Sequence, residues 1–324
     1  MELWEKSLIE FEKLESGLRP RRLFEWLNNS YHYLYLSSVP QDYVPILADA
    51  KTALCMVDVS VDDACDNAEL IKRNGGEEFT YALLDLLFNV RAILDGNYQT
   101  RFKDITQVLD NKNNKGCIYY QTTYHILEEI VQTVRQFPRF EEFKQHFIYG
   151  LRSVGKAMEF SYLVNRDKIV YPISHIILHR SPSTMVFLHS LLDLMVSNNF
   201  DKKENGKVFS LFSMADTVSM LGNTLNTWYR EIIEKDFSSP MLALGLERGI
   251  INFEEFNTGN IKEIEKKLLP LSQEIEKMAD EEISKMKIYT EAVGIQSFDA
   301  QQFVNNYSKV KEAFKAREKY WEKN

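Results

Sequence analysis

Cysteine is almost missing. Cys55, Cys65 and Cys117 are the only three in 324 residues, too few and too irregularly spaced for a disulfide framework or a zinc site. Reduced thiols in a cytoplasmic protein are the expectation. Glycine (13) and proline (8) are also scarce, which disfavours a strand-and-turn architecture and favours long helices. Basic charge is in deficit, with 39 Lys and Arg against 47 Asp and Glu and a net charge of −8. That balance argues against a nucleic-acid partner, because a phosphate backbone wants a basic footprint. No stretch approaches the roughly 20 uncharged residues of a membrane span. The opening Met1-Glu2-Leu3-Trp4-Glu5-Lys6 carries charge where a signal peptide would be apolar. Neither secretion nor stable membrane insertion is expected. His125, His146, His175, His179 and His189 show no zinc-like spacing with the cysteines.

What is present is apolar residue at helical period. The chain is 44% apolar, enough for a large core. From Tyr43 to about Ile71, Leu47, Leu54, Val57 and Val61 recur at three- and four-residue steps, and Asn74-Gly75-Gly76 ends that segment. Helices are also predicted over 77–96, 118–136, 141–164, 208–235, 240–248, 261–293 and 300 to the end. Pro172 and Pro182 break an apolar segment over 168–198, and 201–206 reads as a charged loop. Residues 1–38 form either a packed helix or a solvated N-terminal arm, interrupted at Arg19-Pro20-Arg21-Arg22. Neither a repeat nor a linker appears. The reading is all-α: a single domain over 1–324, with about ten or more helices.

Two motifs carry chemistry. Asp62-Asp63-Ala64-Cys65-Asp66 sets carboxylates at i and i+4 near the C-terminal end of a helix. Asn223, Thr227 and Glu231 set an amide, a hydroxyl and a carboxylate at i, i+4 and i+8. Each four-residue step turns the direction by only about 40°, so the three oxygens share a stripe about 80° wide. Two oxygen-rich faces with basic residues nearby suit hard divalent cations holding a phosphate-rich substrate. Asp58, one turn before Asp62, reads as a third ligand, a supporting group or a surface charge.

The pair resembles the two metal motifs of class I terpene synthases in their compact single-domain form. Asp62-Asp63-x-x-Asp66 is similar to the family's aspartate-rich motif, and Asn223-x-x-x-Thr227-x-x-x-Glu231, with Arg230 before the glutamate, to its second motif. The family usually has Asp directly after the Asn; here Thr224 stands there. Arg180, in His179-Arg180-Ser181-Pro182, lies where the family places its diphosphate-sensing arginine. Lys319-Tyr320 stands in place of a C-terminal Arg-Tyr pair.

The resemblance implies a helical bundle around an apolar cavity and ionisation of a linear prenyl diphosphate, farnesyl or geranylgeranyl, with cyclisation or quenching of the carbocation. It implies Mg2+, three ions with Mn2+ as a substitute, held by Asp62, Asp66, Asn223, Thr227 and Glu231. Arg180 and Arg230 are then the diphosphate contacts, with Lys319 and Tyr320 beside them. Phe79, Tyr81, Phe88, Phe160, Tyr162 and Trp321 are candidates for facing the cation. A chain-elongating or head-to-head prenyl synthase is the alternative enzyme, although no second Asp-Asp-x-x-Asp is present. A helical binding protein without turnover is the alternative outside enzymes. A homodimer is compatible with all three.

Overall fold

The computed structural model describes residues 2–14 and 19–321, the side chains of 313–321 excepted. Among the described residues every regular element is helical, so the all-α expectation holds. Residues 1–158 with 188–200 form one compact unit, and 159–187 with 201–324 form a second. No helix among the described residues is long and apolar enough to cross a membrane.

The first unit holds α1 (Leu3–Glu12), α2 (Arg21–Tyr31), α3 (Val44–Asp66), α4 (Ala68–Asn74), α5 (Glu77–Phe88), α6 (Val90–Leu94), α7 (Gln99–Lys112), α8 (Asn114–Val134) and the first part of α9 (Phe140–Asp167). At its centre lies α3. Leu47, Ala48, Leu54, Met56, Val57 and Val61 are all buried, and α1, α2, α5 and α8 pack around it. An apolar surface on more than one side is what a helix with several neighbours requires. The N-terminal segment is not a solvated arm. Leu8, Phe11 and Phe24 are buried, and the Phe11 and Phe24 rings meet edge to face at 4.9 Å.

The helix expected to run to about Ile71 stops at Asp66. Asn67 leaves the helical region (φ −93, ψ 95) and starts α4 by accepting from the Leu70 N–H at 3.0 Å, as an N-cap residue does. Gly75 (φ 120) and Gly76 (φ 74) then turn the chain through backbone angles that side chains resist. Sequence periodicity missed α7, and the reason is visible: Leu109 is its only buried residue.

The second unit holds the rest of α9, then α10 (Ile173–Arg180), a 3-10 turn over Ser181–Thr184, and the start of α11 (Val186–Val196). The remaining helices are α12 (Asn205–Glu234), α13 (Pro240–Glu247), α14 (Phe253–Thr258), α15 (Ile261–Leu268), α16 (Ser272–Val293) and α17 (Ala300–Trp321). The 30-residue α12 is the spine, with α16 and α17 laid against it. The single helix expected over 261–293 is two, parted by a 3-10 turn at Leu269–Leu271. Pro270 in that turn has no N–H to give a continuing helix.

One charged pair is sealed inside the first unit. The Lys51 ammonium, 1% exposed, lies 2.6 Å from Asp193 of α11 and donates to the Leu34 carbonyl at 3.0 Å. Asp193 also accepts from the Leu36 N–H at 3.1 Å. Burial pushes the Asp193 carboxyl up, against the pull of Lys51. The neighbouring His189 is held well below its ordinary value by burial and by the same lysine. The thiol of Cys55, bonded to the Tyr31 hydroxyl at 3.1 Å, is pushed up to about 12 by burial. All three cysteines are free and buried.

Candidate functional site

The aspartate motif is the last turn of α3, near a helix C-terminus as expected, although Asn67 ends that helix and the Gly-Gly turn ends α4. The turn is anchored from two sides: the Thr80 hydroxyl of α5 donates to the Ala64 carbonyl at 2.7 Å, and the Asn67 N–H to the Asp63 carbonyl at 3.1 Å. Asp62 and Asp66 are half-buried, whereas Asp63 is 4% exposed. The motif already has a cation. Arg19, in the link between α1 and α2, places its Nη2 2.9 Å from Asp63 and 3.5 Å from Asp62. The Arg19 side chain is 14% exposed and that of Asp62 22%, so the pair is only partly open to water. Adjacent carboxylates repel each other unless a positive group intervenes, and here the chain supplies a guanidinium. Asp58 is half-buried one turn below. Its neighbours include Cys55, whose thiol it helps to raise.

The second motif lies in the second half of α12. The Thr227 hydroxyl is 2.6 Å from Glu231 Oε1, joining those two side chains, and 2.9 Å from the backbone carbonyl of Asn223 one turn earlier. Glu231 is 6% exposed, and its Oε2 is buried without a well-formed hydrogen bond, with the Ser239 hydroxyl near the carboxyl. Burial and nearby Asp236 push its carboxyl up, while Arg180 and the Ser239 and Thr227 hydroxyls pull it down. One turn away, the Asn226 amide has both its nitrogen and its oxygen buried without partners. Buried oxygens without a hydrogen bond are costly, and a water, an ion or a ligand oxygen can satisfy them. Amide, hydroxyl and carboxylate oxygens are the donors that magnesium takes. The residues present therefore fit a hard divalent cation. Among the described residues no three Asp, Glu, His or Cys side chains gather into a metal cluster.

Arg180 ends α10, just before Pro182 breaks the helix. Its Nη1 donates to Asp236 Oδ2 at 3.1 Å, to Ser238 Oγ at 2.9 Å and to the Ser238 carbonyl at 3.3 Å. Asp236 is itself held by the Asn165 amide at 3.0 Å and by the Ser238 N–H at 2.8 Å. The chain brings Asp236 there by turning back at Lys235, whose left-handed backbone (φ 58) caps α12. Asn223, Thr227, Glu231 and Arg180 thus share the second unit, and both Arg180 and Asp236 lie close enough to Glu231 to act on its charge. Arg230 lies one turn from Glu234, its Nε 3.5 Å from that carboxylate. Lys319, Tyr320 and Trp321 fall in the part of α17 whose side chains lie outside the described residues.

Of the aromatic candidates, Phe79 is fully buried against Tyr119 at 5.2 Å, and Tyr81 is 38% exposed. Phe160 stacks on His179 at 4.8 Å and also meets Tyr171. Sequence reasoning missed Arg19 and Asp236. Each had a signal: Arg19 opens the Arg-Pro-Arg-Arg run, and Asp236 stands in the turn before Ser238-Ser239-Pro240.

No protein-family model and no curated protein sequence matches this chain. Among solved structures it is similar to isoprene synthase from grey poplar leaves (Populus x canescens), with a TM-score of 0.56 at 12% identity. The match covers 96% of this chain and 53% of the poplar protein, so the chain spans about half the length of its structural relative. The chain has the all-α fold of the class I terpene synthases.

Proposed function

We propose that this protein is a magnesium-dependent terpene synthase that ionises a linear prenyl diphosphate, farnesyl or geranylgeranyl, and cyclises or quenches the resulting cation. The observation that carries the reading is the stripe on α12, where the buried Glu231 carboxyl, bonded to Thr227 at 2.6 Å, keeps one oxygen without a well-formed hydrogen bond and Asn223 stands two helical turns earlier on the same face. Magnesium held there would neutralise charge as it develops on the departing diphosphate. Asp62 and Asp66 are the ligands of the other oxygen-rich face, and Arg180 and Arg230 the cationic contacts to diphosphate oxygens. Lys319 and Tyr320 are proposed to act beside them, and the whole chain is proposed to work as one catalytic domain in the cytoplasm. Arg180 is held at one nitrogen by Asp236 and Ser238, so its guanidinium is oriented before any substrate arrives. An oriented donor costs little reorganisation when charge develops.

Incubation with Mg2+ and geranyl, farnesyl or geranylgeranyl diphosphate, followed by gas chromatography and mass spectrometry, tests the reading. A terpene hydrocarbon or alcohol supports it. A longer prenyl diphosphate would assign chain elongation instead, and no diphosphate release would leave a binding protein.

Arg19 adds a separate expectation. Its guanidinium neutralises Asp62 and Asp63, the charges that a divalent ion would have to share. Arg19→Gln is expected to tighten binding of Mg2+ alone several-fold, measured by isothermal titration calorimetry without substrate. Unchanged or weaker Mg2+ binding would mean that the ion pair does not compete with metal.

A further inference from the structure

The break that follows Arg180 is held by a residue that neither metal motif contains. Ser181–Thr184 form a 3-10 turn, Met185 takes a left-handed backbone (φ 57), and α11 starts at Val186. A left-handed non-glycine residue is strained and persists only where its surroundings enforce it. The first N–H groups of α11 have no carbonyl of their own helix to bond. A residue from another helix takes both. Asp216 Oδ1, on α12, accepts from the Val186 N–H at 2.8 Å, the Phe187 N–H at 3.3 Å and the Thr184 hydroxyl at 3.1 Å. Ser181 adds a side-chain contact to Thr217 of the same helix at 3.3 Å.

Asp216 stands seven residues before Asn223. Two helical turns separate them, so the two side chains leave α12 in nearly the same direction. The break therefore hangs from the helix that carries the Asn-Thr-Glu stripe. At its other end Arg180 is tied to Asp236, just past that helix. We propose that Asp216 is a positioning residue: by gathering three donors of the break onto one oxygen, it sets where Arg180 stands relative to Asn223, Thr227 and Glu231. The inference rests on reading Arg180 as a diphosphate contact.

The protonation state gives the proposal a sharp edge. Asp216 is 4% exposed, and burial pushes its carboxyl up to about 8, with the three hydrogen bonds opposing. At neutral pH it is therefore largely a neutral acid. Oδ1 takes the three donors, which leaves Oδ2 as the oxygen available to a proton. An amide reproduces that pattern. Asparagine keeps the acceptor oxygen and places an NH2 where the acid has OH. What positions the break is the acceptor, not the charge.

The experiment is calorimetric binding of inorganic pyrophosphate with Mg2+, a readout independent of turnover, on the wild type, Asp216→Ala and Asp216→Asn. Asp216→Ala is expected to weaken pyrophosphate binding tenfold or more and to raise KM more than it lowers kcat. Asp216→Asn is expected to restore most of the affinity. If Asp216→Ala does not fold, Thr184→Val, which removes one of the three donors, is read instead, with a several-fold loss expected. Wild-type affinity in Asp216→Ala, or in Thr184→Val where that is read, overturns the proposal. So does an Asp216→Asn as damaged as the alanine variant, because charge would then be the operative property. If the wild type itself fails to bind pyrophosphate with Mg2+, the terpene-synthase reading falls and takes this inference with it. The wild-type result thus decides the reading, and the ratio of variant to wild type decides the role of Asp216.

Discussion

Replacing Glu231 with glutamine is expected to lower diphosphate release by about a thousandfold while leaving the fold intact. A thousandfold is about 4 kcal/mol of lost transition-state stabilisation, in the range of several kcal/mol that a bound metal ion supplies at a leaving oxygen. Glutamine fills the same volume, and its amide oxygen can still accept from Thr227, which lies 2.6 Å from the carboxylate. What it lacks is the second carboxylate oxygen, Oε2, and the negative charge a cation would draw there. Stability should not suffer, because burial already disfavours charge at this position. Pyrophosphate release and thermal unfolding, measured side by side, check both halves. Turnover within threefold of wild type would remove Glu231 from the metal-binding set. Equal losses in activity and melting temperature would make it a folding residue instead.

Lys51→Met is expected to destabilise the protein by about 3–5 kcal/mol, the cost of leaving one member of a buried ion pair without the other. Asp193 would keep its bond from the Leu36 N–H and lose the ammonium. The double variant Lys51→Met/Asp193→Leu should recover much of the loss, since removing both charges leaves no uncompensated group. The pH dependence carries a sign. Asp193 is a carboxyl whose value in the folded state is raised by burial. Between its ordinary value and that raised value the folded state binds more proton than the unfolded state. Stability therefore falls as pH rises through that window. The deficit of Lys51→Met should be largest at neutral pH and shrink on acidification. Urea melts at several pH values measure it, and a deficit that is flat or grows towards acid would contradict the account.

The helices and both motifs were legible because they depend on local spacing. Asp62 and Asp66 need only a four-residue step, and Asn223, Thr227 and Glu231 only two. Breaks at Gly75-Gly76 and Pro182 were legible for the same reason. Pro270 was equally visible but stands inside a strongly charged helical pattern, and the interruption went unread. What stayed hidden depends on distance in sequence. Arg19 meets Asp63 across 44 residues, Lys51 meets Asp193, and Asp236 gains meaning only when the chain folds back to Arg180. An aspartate inside the apolar run Met214-Ala215-Asp216-Thr217-Val218 was a readable anomaly. Its partners, the first amides of another helix, were not. Helix α7 was hidden for the opposite reason, since a helix with one buried residue leaves almost no periodic trace.

The placement of Lys51 also bears on how the chain is made. Its counter-charge is synthesised 142 residues later (193 minus 51). At about 5–20 residues per second, that interval is on the order of ten seconds. Until then α3, the centre of the first unit, carries a lysine with nowhere dry to go. Completing that unit requires residues 188–200, which emerge only after 159–187 of the second unit. A nascent chain ending near residue 158 should therefore remain incompletely packed, and chaperone engagement should persist until about residue 200 has left the ribosome.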